Sequence, residues 1–499
     1  MAALTGRALE TEAAATGDYA VLELYTRLAA QGRQLLGPYS RFGFHHPGPA
    51  YFYASVPLYV LSGERFAGIL MTAALINVVS AALLLRRVGR YGGTAALITG
   101  GLMVALFLSW RGPGWIFSAW NPSVAVLPFG LALVSFAAFA AGEARALPTA
   151  VLAGSFAAQT HLGCLPAVIA IAVTAAFLLI PPVRGSAGLP PRGRMDRGPL
   201  VVAALFAALV WAPPVLEQLS PQGGNLAHIL GFSALSDERH TVAEALTTAG
   251  AATAGWLFGL RGTGAAWLLA LAAVLLSIAH GAARRARQPF AAALSLVTLA
   301  GFAAAVLSVA RVTGPLLPYL FRWMAMLSVG VAAAVASGLA PLLRARMEAS
   351  RRPLLLLTVG LVALAIVSGR NLALAQSLLQ SAPTPTEASE AAARLAEAID
   401  AGVSTTSHRA LVEVTPHTDR DLVLGVVLAM DKAGTRFAVS PFGPFRLGGR
   451  WTPNGTEDAR LVLGPEDAEV AGAPGVRLLG RDAGLFAYLV PMAPAAGRP

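Results

Sequence analysis

The sequence predicts a polytopic α-helical membrane protein that ends in a small α/β domain. The first indication is composition, because 56% of the 499 residues are hydrophobic and only 13% are charged. Soluble domains carry about 25% charged residues. The second is a mean hydropathy of +0.63. The third is the recurrence of apolar runs of roughly 20 residues, the length that crosses the hydrocarbon core of a bilayer as a helix.

Ten apolar runs are candidate membrane-spanning helices. Several are short or contain glycine and proline, and residues 148–182 also fit one kinked unit. The runs cover about 66–86, 93–109, 121–141, 148–162, 165–182, 199–214, 264–283, 289–310, 317–340 and 353–369. The stretch 47–63 begins Pro-Gly-Pro and predicts an interfacial or half-inserted helix, with Tyr51, Tyr53 and Tyr59 at the level of the lipid headgroups.

The distribution of arginine predicts the orientation in the plasma (inner) membrane. Fifteen arginines lie in the loops 86–90, 142–147, 183–198, 284–288 and 343–352, and the alternate loops hold Arg111, Arg239, Arg261 and Arg311. Short loops rich in arginine face the cytoplasm. The net charge of +11 is thus explained by membrane orientation and does not favour nucleic-acid binding. Residues 1–65, 215–262 and those after 370 are predicted to be extracytoplasmic. Because no span precedes this exported start, we expect the chain to lack a first transmembrane helix.

Three regions follow from these patterns. Residues 1–65 are predicted to be an extracytoplasmic first loop with amphipathic or interfacial helices, 66–370 the multi-span domain, and 371–499 an extracytoplasmic α/β domain. In the last region helix and strand patterns alternate, which is typical of an α/β domain. Helices are predicted over about 386–401 and 419–432, and strands over 411–414, 437–439, 461–463 and 485–488.

The densest cluster of chemically active side chains lies before the first clear span. Asp18 precedes an apolar-periodic helix, where it could be a helix N-cap or a general base at the membrane surface. Glu23, five residues later, lies near 140° around the helix and does not share a face with Asp18. Tyr39 and Tyr51 accompany this cluster as candidate cavity-lining residues.

Arg41, His45 and His46 are candidate ligands for a phosphate group. Guanidinium matches phosphate geometry, and the histidines could bind phosphate, orient a base or be ordinary interfacial side chains. Adjacent histidines rarely hold one ion together, and no nearby cysteine or aspartate completes a metal site. We therefore assign no metal ligand and no cofactor. Cys164 is the sole cysteine, so there is no internal disulfide.

Polar residues in or beside the spans are candidates for lining a cavity, because polar groups are costly in lipid. Arg322, beside Tyr319, could grip a lipid phosphate or snorkel to the interface. Among the remaining candidates, those at 159 and 161 could equally make helix-to-helix hydrogen bonds, and those at 217, 218 and 225 could lie solvated in the long loop 215–262. Those at 120 and 121 could be the capped start of a span with an aromatic platform. These candidates are Trp120, Asn121, Gln159, His161, Glu217, Gln218 and Asn225.

The arrangement resembles the GT-C superfamily of membrane glycosyltransferases. The resemblance rests on Gly17-Asp18 before an amphipathic helix, on His45-His46-Pro47 followed by aromatic residues, on many short spans and on a C-terminal α/β domain. It is most similar to the polyprenyl-phosphate-sugar-dependent branch, which includes protein mannosyltransferases and aminoarabinose transferases.

This resemblance implies inverting transfer of a sugar from a polyprenyl-phosphate donor to an envelope glycan, lipid or protein acceptor on the outer face. Asp18 would be the catalytic base, the His45-His46-Pro47 motif would contact the donor phosphate, and Arg322 would be a second phosphate contact. Two departures leave the use of a divalent metal open. The family often has Asp-Glu where this chain has Asp18-Tyr19, and the loop 110–120 lacks the second acid often found there.

Two other classes of protein remain open from the sequence. A transporter or flippase for a lipid-linked precursor predicts inverted repeats and ionisable groups near the bilayer midplane. In this chain the polar residues instead cluster at the predicted external border, which favours the enzyme. A non-catalytic envelope-assembly subunit would use residues 380–499 to bind a partner or a glycan, and the absent second acid is compatible with it.

Overall fold

The computed structural model describes residues 15–191, 196–220, 224–235, 239–347, 352–380, 386–404, 409–442, 447 and 449–492. The chain divides into two compact units. The first unit combines Met1–Thr72 with Ser381–Pro499, and the second unit is Ala73–Gln380. The unit division falls within the third helix.

The described helices are numbered in chain order. They are α1 (Gly17–Ala30), α2 (Ala50–Leu61), α3 (Phe66–Arg111), α4 (Asn121–Val124), α5 (Val126–Ala141), α6 (Leu147–Thr160), α7 (Leu165–Phe177), α8 (Pro181–Ser186), α9 (Arg197–Leu219), α10 (Asn225–Leu235), α11 (Val242–Gly250), α12 (Trp256–Phe258), α13 (Gly262–Arg285), α14 (Pro289–Ala310), α15 (Ala325–Met347), α16 (Arg352–Gln380), α17 (Glu387–Val403), α18 (Arg420–Ala433) and α19 (Ala468–Gly472). Short 3₁₀ segments include Pro113–Phe117, Leu162–Cys164 and Pro318–Met324.

Seven helical segments of the described chain are long and apolar enough to cross a membrane. Helix α3 accounts for two of the ten predicted runs, because its 46 residues are interrupted at Gly93, where φ is +81°. The runs 148–162 and 165–182 form the shorter helices α6 and α7. The chain is therefore a multi-pass helical membrane protein, as predicted, although fewer than ten helices reach spanning length.

Helix α5 forms the centre of the second unit. Fifteen of its 16 residues are buried, whereas Ala203 is the only buried residue in the 23 of α9. An apolar helix that exposes its side chains is typical of a lipid-facing position, because lipid tails are as apolar as leucine. Small residues let other helices approach closely, and a Cβ at Gly250 of α11 would lie 2.1 Å from the carbonyl oxygen of Ala265 in α13.

Arg184 was counted from the sequence as a cytoplasmic loop charge, but it is buried in the second unit. Its Nη1 donates to the carbonyl oxygens of Ala140 at 2.7 Å and Leu178 at 3.2 Å, and its Nη2 donates to that of Ala141 at 3.2 Å. The last carbonyls of a helix have no partner within the helix. Arg184 therefore donates hydrogen bonds to carbonyl groups at the end of α5 and to one just after α7, and so connects the ends of these two helices.

The first unit contains a five-stranded sheet of β1 (Ala410–Val414), β2 (Phe437–Val439), β3 (Ala459–Gly464), β4 (Arg477–Asp482) and β5 (Leu485–Pro491). The strand order is β2-β1-β3-β5-β4. Strand β1 pairs parallel with β2 and β3, and β5 pairs antiparallel with β3 and β4. The predicted α/β elements are all present, and β4 is an additional edge strand.

The N-terminal helices of the first unit pack on one another and on the sheet domain. Helix α1 contacts α2 and α18, and α18 also contacts α17. The sequence placed Tyr51 and Tyr59 of α2 at the lipid headgroups, but neither side chain is accessible. They are buried because α2 packs against α1, where the Tyr59 hydroxyl donates to Glu23 at 2.9 Å.

Candidate functional site

The loop between α1 and α2 forms a short hairpin. Tyr39 and His45 make an antiparallel bridge, and Gly43, with φ at +81°, turns the chain between them. The Ser40 amide donates to the Phe44 carbonyl at 2.8 Å, and the His46 amide donates to the Pro38 carbonyl at 2.8 Å. The hairpin therefore fixes the backbone positions of Tyr39, His45 and His46.

Asp18 lies in the first turn of α1 and is not the N-cap residue. The helix begins at Gly17, and the cap position is Thr16. The cap interpretation of Asp18 is therefore wrong, although a carboxylate in the first turn still interacts favourably with the helix dipole. The Tyr39 hydroxyl donates a hydrogen bond to Asp18 Oδ1. Burial and the charge of Asp18 both raise the pKa of Tyr39, which keeps its hydroxyl protonated.

A second carboxylate, Asp421 of α18, lies against the start of α1. A Cβ at Gly17, where φ is +55°, would lie 2.7 Å from Asp421 Oδ1, so only glycine fits there. Burial, followed by the charges of Asp419 and Asp18, raises the pKa of Asp421. The sequence found no second acid in the loop 110–120, and it did not suggest Asp421. Residues 418–421 resemble an ordinary helix start, and Asp419 does cap α18.

The raised pKa of Asp421 predicts a pH-dependent stability change for Asp421→Asn. The folded protein binds this proton more tightly than the unfolded chain, so the carboxyl reduces stability as the pH rises above the unfolded pKa, and does so fully once the pH exceeds the folded pKa. The control is Glu387→Gln, because Glu387 is an exposed first-turn acid in α17 and its replacement measures the loss of the helix-dipole interaction. Relative to this control, Asp421→Asn is expected to have a higher melting temperature at pH 7. The difference in melting temperature should vanish near pH 3.8, the ordinary pKa of an aspartate side chain. Thermal unfolding between about pH 3 and pH 8 measures this difference, and a difference that stays constant over that range would contradict the prediction.

The other predicted residues of the first unit are largely buried. His45 and His46 are buried, and Tyr51 is fully inaccessible. His45 Nε2 lies 3.1 Å from the Tyr25 hydroxyl, and the Arg41 guanidinium stacks 4.6 Å from the centre of the Phe42 ring. The structure thus brings Asp18 of α1 together with Tyr39 of the hairpin, which is bridged to His45. A phosphate-binding role for Arg41, His45 and His46 stays a prediction.

In the second unit a separate cluster surrounds Arg322. Its guanidinium lies 4.8 Å from the centre of the Trp120 ring, and Nη1 donates to the Ser123 hydroxyl at 3.1 Å. The Tyr319 ring packs on Trp120 with 5.0 Å between the centroids. Arg322 therefore rests on an aromatic ring within the protein, in a short 3₁₀ segment that precedes α15.

Polar residues at the end of α6 lie beside this cluster. Asn121 Nδ2 donates to the Thr160 carbonyl at 3.1 Å, and His161 Nε2 lies 3.2 Å from the carbonyl oxygen of Leu320. A Cβ at Gly163 would lie 2.9 Å from His161 Nε2, so glycine leaves room for the imidazole. Gln159 instead donates to the Val210 carbonyl at 2.8 Å, which supports the helix-to-helix interpretation of that residue.

The candidates from the long loop make local contacts. Glu217 Oε1 accepts hydrogen bonds from the amides of Gly224 and Asn225 at 3.1 and 3.2 Å, and Gln218 Oε1 accepts from the Leu226 amide at 3.3 Å. These contacts hold the start of α10 against the end of α9. Within the described part of the chain, no group of three or more His, Cys, Asp or Glu side chains could hold a metal ion.

The fold and the two clusters describe a polytopic helical membrane protein with a small α/β domain. No protein-family model matches the sequence, and no curated protein matches it. The fold is similar to that of ArnT from Cupriavidus metallidurans bound to undecaprenyl phosphate, with a TM-score of 0.58, 14% identity, and coverage of 97% of this chain and 96% of that chain. The apo state of the same protein gives a TM-score of 0.53 at 14% identity, with coverage of 97% of this chain and 95% of that chain. The predicted fold, a polytopic helical membrane protein with a small α/β domain, is thus shared with both of these structures.

Proposed function

We propose that the protein transfers a sugar from a polyprenyl-phosphate donor to an acceptor on the extracytoplasmic face, with inversion at the anomeric carbon. The observation that carries this proposal is a fold shared over 97% of the chain with a protein bound to undecaprenyl phosphate. A lipid-linked donor also suits a multi-pass protein, because it reaches the protein through the bilayer. The arginine-poor loops favour the extracytoplasmic face for the acceptor.

Asp18 is the proposed general base. An acceptor hydroxyl attacks the anomeric carbon, its proton passes to Asp18, and the bond from that carbon to the phosphate oxygen breaks as polyprenyl phosphate leaves. The hydrogen bond from Tyr39 orients the Asp18 carboxylate, which lies in the first turn of α1. Orientation and proton transfer of this kind contribute about 10²–10⁴-fold to a rate.

Arg41, His45, His46 and Arg322 are the proposed contacts to the donor phosphate. The argument is strongest for Arg322, since its guanidinium lies over the Trp120 ring and a planar guanidinium matches phosphate oxygens. The contacts of this half-buried side chain with Trp120 and Ser123 support the proposed role.

The proposal is tested by transfer from labelled undecaprenyl-phosphate sugars in proteoliposomes, with a bacterial envelope fraction as the source of acceptors. We expect time-dependent incorporation of label and stoichiometric release of undecaprenyl phosphate. A panel of sugars identifies the donor, and the free sugars without the lipid phosphate are the control. Consumption of none of the lipid-linked donors would contradict the proposal.

Arg322→Met is expected to raise the apparent KM for the donor about tenfold or more, because a hydrogen bond to a charged group contributes about 1.5–3 kcal/mol. Arg311→Met is the matched control, since Arg311 is an exposed residue that follows α14. Initial rates at varied donor concentration measure both variants. Equal KM values for the two variants would remove Arg322 from the phosphate contacts.

A further inference from the structure

In the first unit, helix α18 of the α/β domain lies along helix α1, which bears Asp18. Both helices belong to the same compact unit. Their backbones approach closely at Gly425, where an added Cβ would lie 3.0 Å from the Thr16 side chain. The residues that carry charge across this contact are not used in the proposed reaction, so they require another explanation.

Glu23 is the most deeply buried of these charges. Its side chain is completely inaccessible, and its Oε1 accepts from the Tyr59 hydroxyl and pairs with Lys432 of α18. Among the described residues, none makes a hydrogen bond to its Oε2. Removing one partner from a buried ion pair is strongly unfavourable, because the other charge stays in a medium of low polarity. Glu23 therefore depends on Lys432, the only lysine in a chain with 36 arginines.

A second ion pair lies one helical turn further along α1. Arg27 Nε donates to Asp431 Oδ2 at 2.8 Å, and 4% of the Asp431 side chain is exposed. Glu23 and Arg27 are four residues apart, which places them on one face of α1, while Asp431 and Lys432 are consecutive in α18. Consecutive residues lie about 100° apart around a helix. The two pairs thus connect one face of α1 to two neighbouring positions around α18 with opposite polarity, and they fix both the rotation and the axial position of α1.

At the start of the two helices Asp421 lies against Gly17. Asp18 is thus held between this contact and the Glu23–Lys432 pair, which is about 7.5 Å further along the helix axis at 1.5 Å per residue. A shift of α1 along α18 therefore moves the Asp18 carboxylate and also changes its distance from Asp421.

We propose that α18 positions the catalytic base, and that Glu23 and Lys432 are positioning residues for Asp18 through the Glu23–Lys432 pair. This inference rests on the proposed function, because it assigns the α/β domain a role in the same reaction. It explains why an ion pair is retained in a buried contact. A displacement of about 1 Å in a catalytic group can lower a rate about 10²-fold.

The test compares Lys432→Met, Glu23→Gln and the double variant with the parent. Arg394→Met is the matched control, since Arg394 makes an exposed ion pair with Asp482 in the same domain. For Lys432→Met we expect apparent kcat to fall about tenfold or more while the donor KM stays unchanged. The double variant leaves no unpaired charge but also lacks the pair, so we expect its kcat to stay about threefold or more below that of the parent, with the donor KM unchanged. Hydrogen exchange of residues 17–30 is measured in parallel and should accelerate in the variants that lack the pair but not in Arg394→Met.

The outcomes separate this inference from the proposed function. Unchanged kcat in Lys432→Met, with an active parent, overturns the positioning role. Parental kcat in the double variant also overturns it, because the loss in Lys432→Met is then due to the unpaired charge of Glu23 and not to the absence of the pair. If the parent transfers no sugar, the proposed function has failed. In that case unchanged exchange in Lys432→Met refutes the connection between the helices, and accelerated exchange supports it.

Discussion

Replacing Asp18 by asparagine is expected to lower sugar transfer at least about a hundredfold, because asparagine keeps the shape of the side chain but cannot accept the proton. The hydrogen bond from Tyr39 is retained in geometry, so α1 should fold normally. The loss of one first-turn charge costs only about 0.3–1 kcal/mol of stability. Initial rates at saturating donor, with circular dichroism as a check on folding, measure this effect.

Asp421→Asn is the control that makes the Asp18 experiment decisive. It is the same substitution in the first turn of the helix packed against α1, and it removes the neighbouring carboxylate. We expect Asp421→Asn to retain transfer within about tenfold, whereas Asp18→Asn loses about a hundredfold or more. The reverse pattern would assign the base to Asp421, and equal transfer by both variants and the parent would leave Asp18 with a structural role only.

Replacing Asp431 by alanine is expected to destabilise the first unit by about 3–5 kcal/mol, the cost of breaking a buried ion pair from one side. Asp431 accepts from Arg27, from Arg450 and, at 3.0 Å, from Trp451 Nε1. Alanine leaves all three donors without this acceptor, and two of them are charged. Denaturant unfolding of the purified protein in detergent, compared with the parent, gives the free-energy difference.

A half-buried aspartate of the same domain, paired with an exposed arginine, supplies the control for Asp431. Asp482 pairs with Arg394, whose side chain is 55% exposed, and exposed pairs contribute about 0–1 kcal/mol. Asp482→Ala should therefore change the unfolding free energy by less than about 1 kcal/mol. Similar losses for Asp431→Ala and Asp482→Ala would show that burial does not determine the strength of these pairs.

Most of the architecture follows from local sequence patterns. Apolar runs of membrane length predicted the helical segments, because the thickness of the hydrocarbon core fixes the length of a span. Their extent was less accurate: α3 continues as one helix as far as the break at Gly93, and α6 and α7 are shorter than spans. Strand β4 was missed because its residues are mostly exposed or half-buried, so it lacks the apolar alternation of a core strand.

The sequence by itself predicted Asp18, the hairpin residues around it and Arg322 as candidate site residues, because charged groups next to apolar runs are costly and conspicuous. Only the tertiary structure showed that α18 supplies Asp421, Asp431 and Lys432 to α1, since Arg27 and Asp431 are 404 residues apart in the chain. Hydrophobic periodicity is a local property of the chain, whereas a charge pair depends on which two surfaces meet. The tertiary fold therefore decided the partners of Glu23 and Arg27, and the neighbour of Asp18.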